Sequence, residues 1–104
     1  MSIPFWVYML RCSDGSFYTG HTDNLESRLH QHASGAIDTC YTFRRRPVVL
    51  VHAQAFPSRE EALSAERRIK GWSRAKKIAL QANDWKEINR LTRGKHRRQR
   101  GVPG

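Results

Sequence analysis

Five side chains in this 104-residue sequence have types suited to handling protons and phosphate: Tyr8, Tyr18, Arg28, His32 and Glu66. Four of them fall in one stretch, WVYMLRCSDGSFYTGHTDNLESRLHQH, from Trp6 to His32. An arginine offers a planar fork that matches a phosphate. An imidazole exchanges protons close to neutral pH. Arg28 and His32 stand four residues apart, so a helix would put them on one face. Glu66 lies well downstream, and a carboxylate turned inward in so basic a chain needs a partner or a metal. Each residue also has an ordinary reading. Tyrosine is common on half-buried strands, Arg28 could be a solvated helix residue, His32 a boundary histidine, and Glu66 a helix pair with Lys70 at i+4.

The elements that must position them can be read from pattern. Residues 5–11 (FWVYMLR) are aromatic, β-branched and apolar, as in a strand buried on both faces. Ser13-Asp14-Gly15-Ser16 is turn chemistry, with Asp-Gly a strong hairpin signal. Residues 17–21 then return antiparallel, so Tyr8 and Tyr18 sit on neighbouring strands and their hydroxyls can converge. Gly20 should break this strand, marking a bulge or a close approach. Thr22-Asp23-Asn24 supplies N-cap residues, Asp23 with Glu26 has capping-box spacing, and the helix runs from about Leu25 to Ala33, where Gly35 stops it. Leu25, Arg28, Leu29 and His32 share a face, which carries Arg28 and His32 to the core's edge.

Residues 34–46 have no period and read as a loop ending in Arg44-Arg45-Arg46. Residues 48–56 (VVLVHAQAF) resemble a central strand. Ser58 and Glu61 form a second capping box. It opens a helix over Arg59 to about Trp72 with an apolar stripe of Ala62, Ala65, Ile69 and Trp72, and Glu66 on its flank. Short helices follow over residues 74–82 and from Trp85 to about Leu91. The chain is read as one body, residues 1–92, and a basic tail, residues 93–104 (RGKHRRQRGVPG), that stays disordered until it meets a polyanion.

Composition narrows the partners. Lysine and arginine number 19 against 9 acidic residues, with a pI near 10.6. That balance points first to nucleic acid and second to an acidic surface. No apolar run approaches the roughly 20 residues of a membrane span. Cys12 and Cys40 make neither a disulfide framework nor a zinc motif, which fits a reduced, cytoplasmic protein.

With these residues in place, the sequence resembles the GIY-YIG nuclease superfamily. Trp6-Val7-Tyr8 stands at the first family tripeptide and Tyr18-Thr19-Gly20 at the second. Arg28 and His32 match the helix pair, and Glu66 in ALSAERRIK matches the metal-binding glutamate. The likeness covers roughly residues 4–82 and is greatest to small stand-alone bacterial members. FPSREEALSAERRIKGW also resembles the nuclease domain of the structure-specific Slx1-type endonucleases. Trp6 and Thr19 depart from the family tripeptides at positions that supply no catalytic side chain.

The resemblance implies an α/β fold with a small, mainly antiparallel sheet of three strands flanked by helices. It implies an endonuclease that hydrolyses DNA with one Mg2+ or Mn2+ ion held by Glu66. Tyr8 would accept a proton from water, its phenolate favoured by Arg28, other basic residues and the metal. Tyr18 would hydrogen-bond to Tyr8 or to the scissile phosphate, Arg28 would contact that phosphate, and His32 would share the proton relay. Branched, flapped or damaged DNA is the expected substrate, with weak sequence preference, and a partner protein could position it. A non-catalytic DNA- or RNA-binding module with a vestigial site is the alternative. Arg44, Arg45, Arg46, Lys70, Arg74, Lys76 and Lys77 are expected on backbone phosphates. Such charge runs are also found as plain solvated faces. Asn83 is a weak counterpart of an asparagine found in some members. His21, His30, His52 and His96 match no family site and are read as surface or packing residues.

Overall fold

A computed structural model describes residues 3–37 and 40–101, with side chains through residue 93. Three strands, β1 (Phe5–Arg11), β2 (Phe17–Thr22) and β3 (Val49–Phe56), form one antiparallel sheet in the order β2-β1-β3. Helices α1 (Leu25–Ser34) and α2 (Arg59–Lys70) complete the first compact unit, Met1–Gly71. Helices α3 (Arg74–Gln81) and α4 (Trp85–Gly101) form the second, Trp72–Gly104. Among the described residues no helix is long and apolar enough to cross a membrane. The α/β class and three-stranded sheet are as expected.

β1 is the central strand and carries the most buried residues of the three. Val7, Tyr8, Met9 and Leu10 are each no more than 1% exposed. The hairpin turn closes with Cys12 N–H donating to the Ser16 carbonyl, and Gly15 there adopts φ 84°. Asp14 accepts from the Ser16 backbone and hydroxyl, which holds its carboxyl below the usual carboxylate range.

The hairpin register pairs Tyr8 with Gly20 and Leu10 with Tyr18. Alternation therefore puts Tyr8 and Tyr18 on one face of the sheet as diagonal neighbours. Gly20 does not break β2, which continues to Thr22. It is needed for close approach, since a Cβ there would lie 2.6 Å from the Tyr8 hydroxyl.

β3 is an edge strand rather than a central one, with Val49 49% and Leu50 40% exposed. An apolar run alone cannot tell these roles apart; here β1 already occupies the middle. A register shift between Met9 and Leu10 skips Val51, so the irregularity lies on β3.

Of the three expected cap residues, Asn24 is the N-cap of α1, in place of the Asp23 of the capping box. Thr22 still belongs to β2 and its hydroxyl accepts from Asn24 N–H, so the chain turns one residue later. The Asn24 side chain then accepts from Ser27 N–H. Gly35 ends the helix at φ 75°, with the Arg46 guanidinium packed where a side chain would stand. Ser58 caps α2 and exchanges hydrogen bonds with Glu61, and Ser73 caps α3. Asp84 accepts from Glu87 N–H at the start of α4.

α4 passes the expected end near Leu91 and runs to Gly101. Beyond Leu91 its arginines, Lys95 and Gln99 are good helix formers. Residues 102–104 of the expected basic tail, and the side chain of His96, lie outside the described residues.

Candidate active site

Three of the five candidate side chains meet directly. The Tyr8 hydroxyl lies 2.9 Å from His32 Nε2. The Tyr18 ring sits 6.3 Å from that of Tyr8 and 5.1 Å from His32. The hairpin brings the tyrosines together, and the helix that Asn24 caps turns His32 inward, where it is 2% exposed.

His32 is fixed from its other side by a residue that sequence reading missed. Thr42 Oγ1 lies 2.7 Å from His32 Nδ1 and is itself buried. The Thr42 hydroxyl donates to Cys40 Sγ, so its oxygen is left to accept from Nδ1–H. That places the lone pair on Nε2, and Tyr8 donates to it. Thr42 was hidden because the aperiodic loop around it carries no positional signal.

Burial pushes the Tyr8 hydroxyl well above the ordinary tyrosine range. The nearby Tyr18 adds to this, and Arg28 opposes it only in part. Tyr18 is likewise pushed up to about 12, first by burial and then by Cys40. The basic neighbours by themselves do not favour a phenolate: desolvation of the charged form outweighs the attraction of Arg28. His32 is lowered by burial and then by Arg28, so it is a neutral proton acceptor at physiological pH.

Thr42→Val keeps the side-chain volume but removes the acceptor for His32 Nδ1–H. It is expected to cost about 1–3 kcal/mol for a buried unpaired group. It should also mix the His32 tautomers. Chemical denaturation and long-range proton–nitrogen NMR of the imidazole check both effects. A single unchanged tautomer would show that Thr42 does not orient the ring.

Among the described residues Arg28 and Glu66 make no hydrogen bond to this cluster, but their charges reach both tyrosine hydroxyls. Arg28 lines a cleft of about 190 Å³ together with His21, Asp23 and Arg59. Glu66 projects from the buried side of α2, among Ala62, Ala65 and Ile69. Its carboxylate has two partners, His21 Nδ1 at 2.9 Å on Oε1 and Lys70 Nζ at 3.5 Å on Oε2.

His21 is therefore part of the site's surroundings and not simply a surface or packing residue. The signal available was its place beside Gly20 on β2, one residue past the second tripeptide. Among the described residues no three metal-ligating side chains cluster. One carboxylate with one imidazole nitrogen fits a divalent cation only if water and substrate supply the remaining ligands.

The basic candidates divide. Arg45 ion-pairs with Asp14, donates to the Tyr41 carbonyl and lies 3.7 Å over the Tyr41 ring. Arg46 donates to the Phe43 carbonyl and packs over the Phe43 ring. Both arginines tie down the loop that carries Thr42. Arg44, Lys70 and Arg74 are exposed and Lys77 half-buried, whereas Lys76 is buried with its ammonium over the Trp72 ring. Asn83 adopts φ 56° and accepts from Trp85 Nε1, as a turn residue does.

The chain as a whole has known relatives. Residues 4–79 match the GIY-YIG catalytic domain, and the chain belongs to that family. It is 48% identical over 75 residues to a UPF0213 protein of Syntrophus aciditrophicus, covering 72% of this chain and 86% of that one. UPF0213 protein NP_0776A of Natronomonas pharaonis is 43% identical over 84 residues, covering 81% and 98%. The solution structure of protein EF2693 from E. faecalis is similar with a TM-score of 0.51 and 40% identity, over 71% of this chain and 78% of that one.

Proposed function

We propose that this protein is a divalent-cation-dependent endonuclease that hydrolyses DNA phosphodiester bonds, choosing substrates by structure with weak sequence preference. The observation that carries the reading is the Tyr8–His32 hydrogen bond, with Tyr18 against it and the charges of Arg28 and Glu66 within reach. Membership of a family defined by a catalytic domain supports it.

Hydrolysis needs a proton taken from water and countercharge on the phosphate. In this site Tyr8 acts as a relay. Its oxygen takes the water proton as its own proton passes to neutral His32 Nε2. Arg28 holds the phosphate from the cleft, and Tyr18 hydrogen-bonds to it. A cation held at Glu66 would polarise the phosphate and steady the leaving oxygen. Residues 1–92 form the nuclease body. Exposed Arg44, Lys70, Arg74 and half-buried Lys77, with the basic segment 93–104, contact backbone phosphates and read no bases.

The test compares wild type with Glu66→Ala on labelled linear, flap and junction DNA, with Mg2+, Mn2+ or chelator. Wild type should cut only with the cation and prefer branched forms. The variant should bind DNA and not cut. Cleavage that survives chelation, or that persists in the variant, would refute the cation's role. Binding by wild type with no cleavage of any substrate would favour a non-catalytic binding module.

A further inference from the structure

The contact between His21 and Glu66 joins two residues that are 45 positions apart in sequence. His21 is the more open of the two, with its side chain 27% exposed against 9% for Glu66. It also lines the cleft that holds Arg28.

The spacing suits two adjacent ligands of one ion. Donors bound at about 2.1 Å and at right angles lie about 3 Å apart. The nitrogen and oxygen are separated by 2.9 Å. We propose that His21 Nδ1 and Glu66 Oε1 together form an open divalent-cation site, with His21 as its second protein ligand. The inference rests on the nuclease reading and gives that site its cation preference.

Without the cation, His21 Nδ1–H donates to Glu66. A ligating Nδ1 would have to give up its proton, so that its lone pair faces the ion. Lys70 remains on the other carboxylate oxygen. An imidazole donor favours Mn2+ and later transition metals over Mg2+, which prefers all-oxygen surroundings.

The test uses the full chain and Mn2+ alone. Pulsed electron paramagnetic resonance should show nitrogen-14 coupling from one imidazole in wild type, a readout that needs no substitution. Calorimetric titration should show Mn2+ bound more tightly than Mg2+. His21→Gln can still donate a hydrogen bond to Glu66 but offers no ring nitrogen. It should lose the coupling and at least about tenfold in Mn2+ affinity. Glu66→Gln should lose the bound ion.

Wild-type Mn2+ binding that depends on Glu66 but shows no nitrogen coupling would overturn the His21 assignment and leave the nuclease reading intact. Affinity fully retained by His21→Gln would overturn it too. Nitrogen-coupled binding without DNA cleavage would uphold this site and sink the nuclease reading instead.

Discussion

Tyr8→Phe is expected to slow DNA cleavage by about 10²–10⁴-fold, the usual contribution of a positioned proton-transfer group. The substitution removes only the hydroxyl that bonds His32 Nε2. The ring stays in a position that is 1% exposed. His32 Nε2 is left without its partner, at a cost of about 1–3 kcal/mol, so a folded protein with little activity should result. Single-turnover cleavage and urea denaturation separate these two effects. Cleavage at the wild-type rate would exclude the hydroxyl from the relay.

The same variant predicts a change in pH dependence. Wild-type cleavage should fall with acid, because protonated His32 can no longer accept. Burial and Arg28 lower its value, so this fall comes below the ordinary histidine range. Tyr8→Phe should flatten that limb.

Folding follows the same sign. A histidine kept neutral in the fold binds fewer protons than in the unfolded chain. Its contribution to stability is therefore complete above the ordinary value of 6.5 and is lost as pH drops toward the lowered one.

Gly20→Ala is expected to be nearly as damaging, through a different route. A Cβ at this position would stand 2.6 Å from the Tyr8 hydroxyl, 2.8 Å from its ring carbon and 3.2 Å from the Tyr18 ring. Tyr8 is fully buried and cannot swing into solvent. The rings must shift or the strands part, at a cost of about 1–3 kcal/mol. A displacement of about 1 Å at the Tyr8 hydroxyl is enough to lower the rate roughly 10²-fold. Thermal denaturation and cleavage assays on this one variant check the prediction. A crystal structure should show the Tyr8–His32 distance lengthened. Wild-type stability and activity together would mean that the tyrosines have more room than their packing indicates.

These two residues show where sequence was enough and where it was not. Gly20 stood out as a glycine inside a strand, but whether it broke the strand, bulged or admitted a neighbour depended on the register of Tyr8 opposite it. Tyr8 was legible as a proton-handling candidate. The direction in which its acidity moves was not, because that depends on how much water the fold removes. The arginines gave the opposite impression, since their charges are counted in the sequence and their distances are not.

The chain by itself determined the order and type of its elements. Turn residues, caps and apolar periodicity act locally, so β1, β2, α1 and α2 could be read within a few residues. It also determined that Tyr8, Tyr18 and His32 would lie near one another, since a hairpin and one following helix leave little freedom. Tertiary structure alone decided which contacts cross long separations. It made β3 an edge strand, set Thr42 against His32, and laid His21 on Glu66. Such contacts follow from how strands and helices pack together, and spacing along the chain does not encode that.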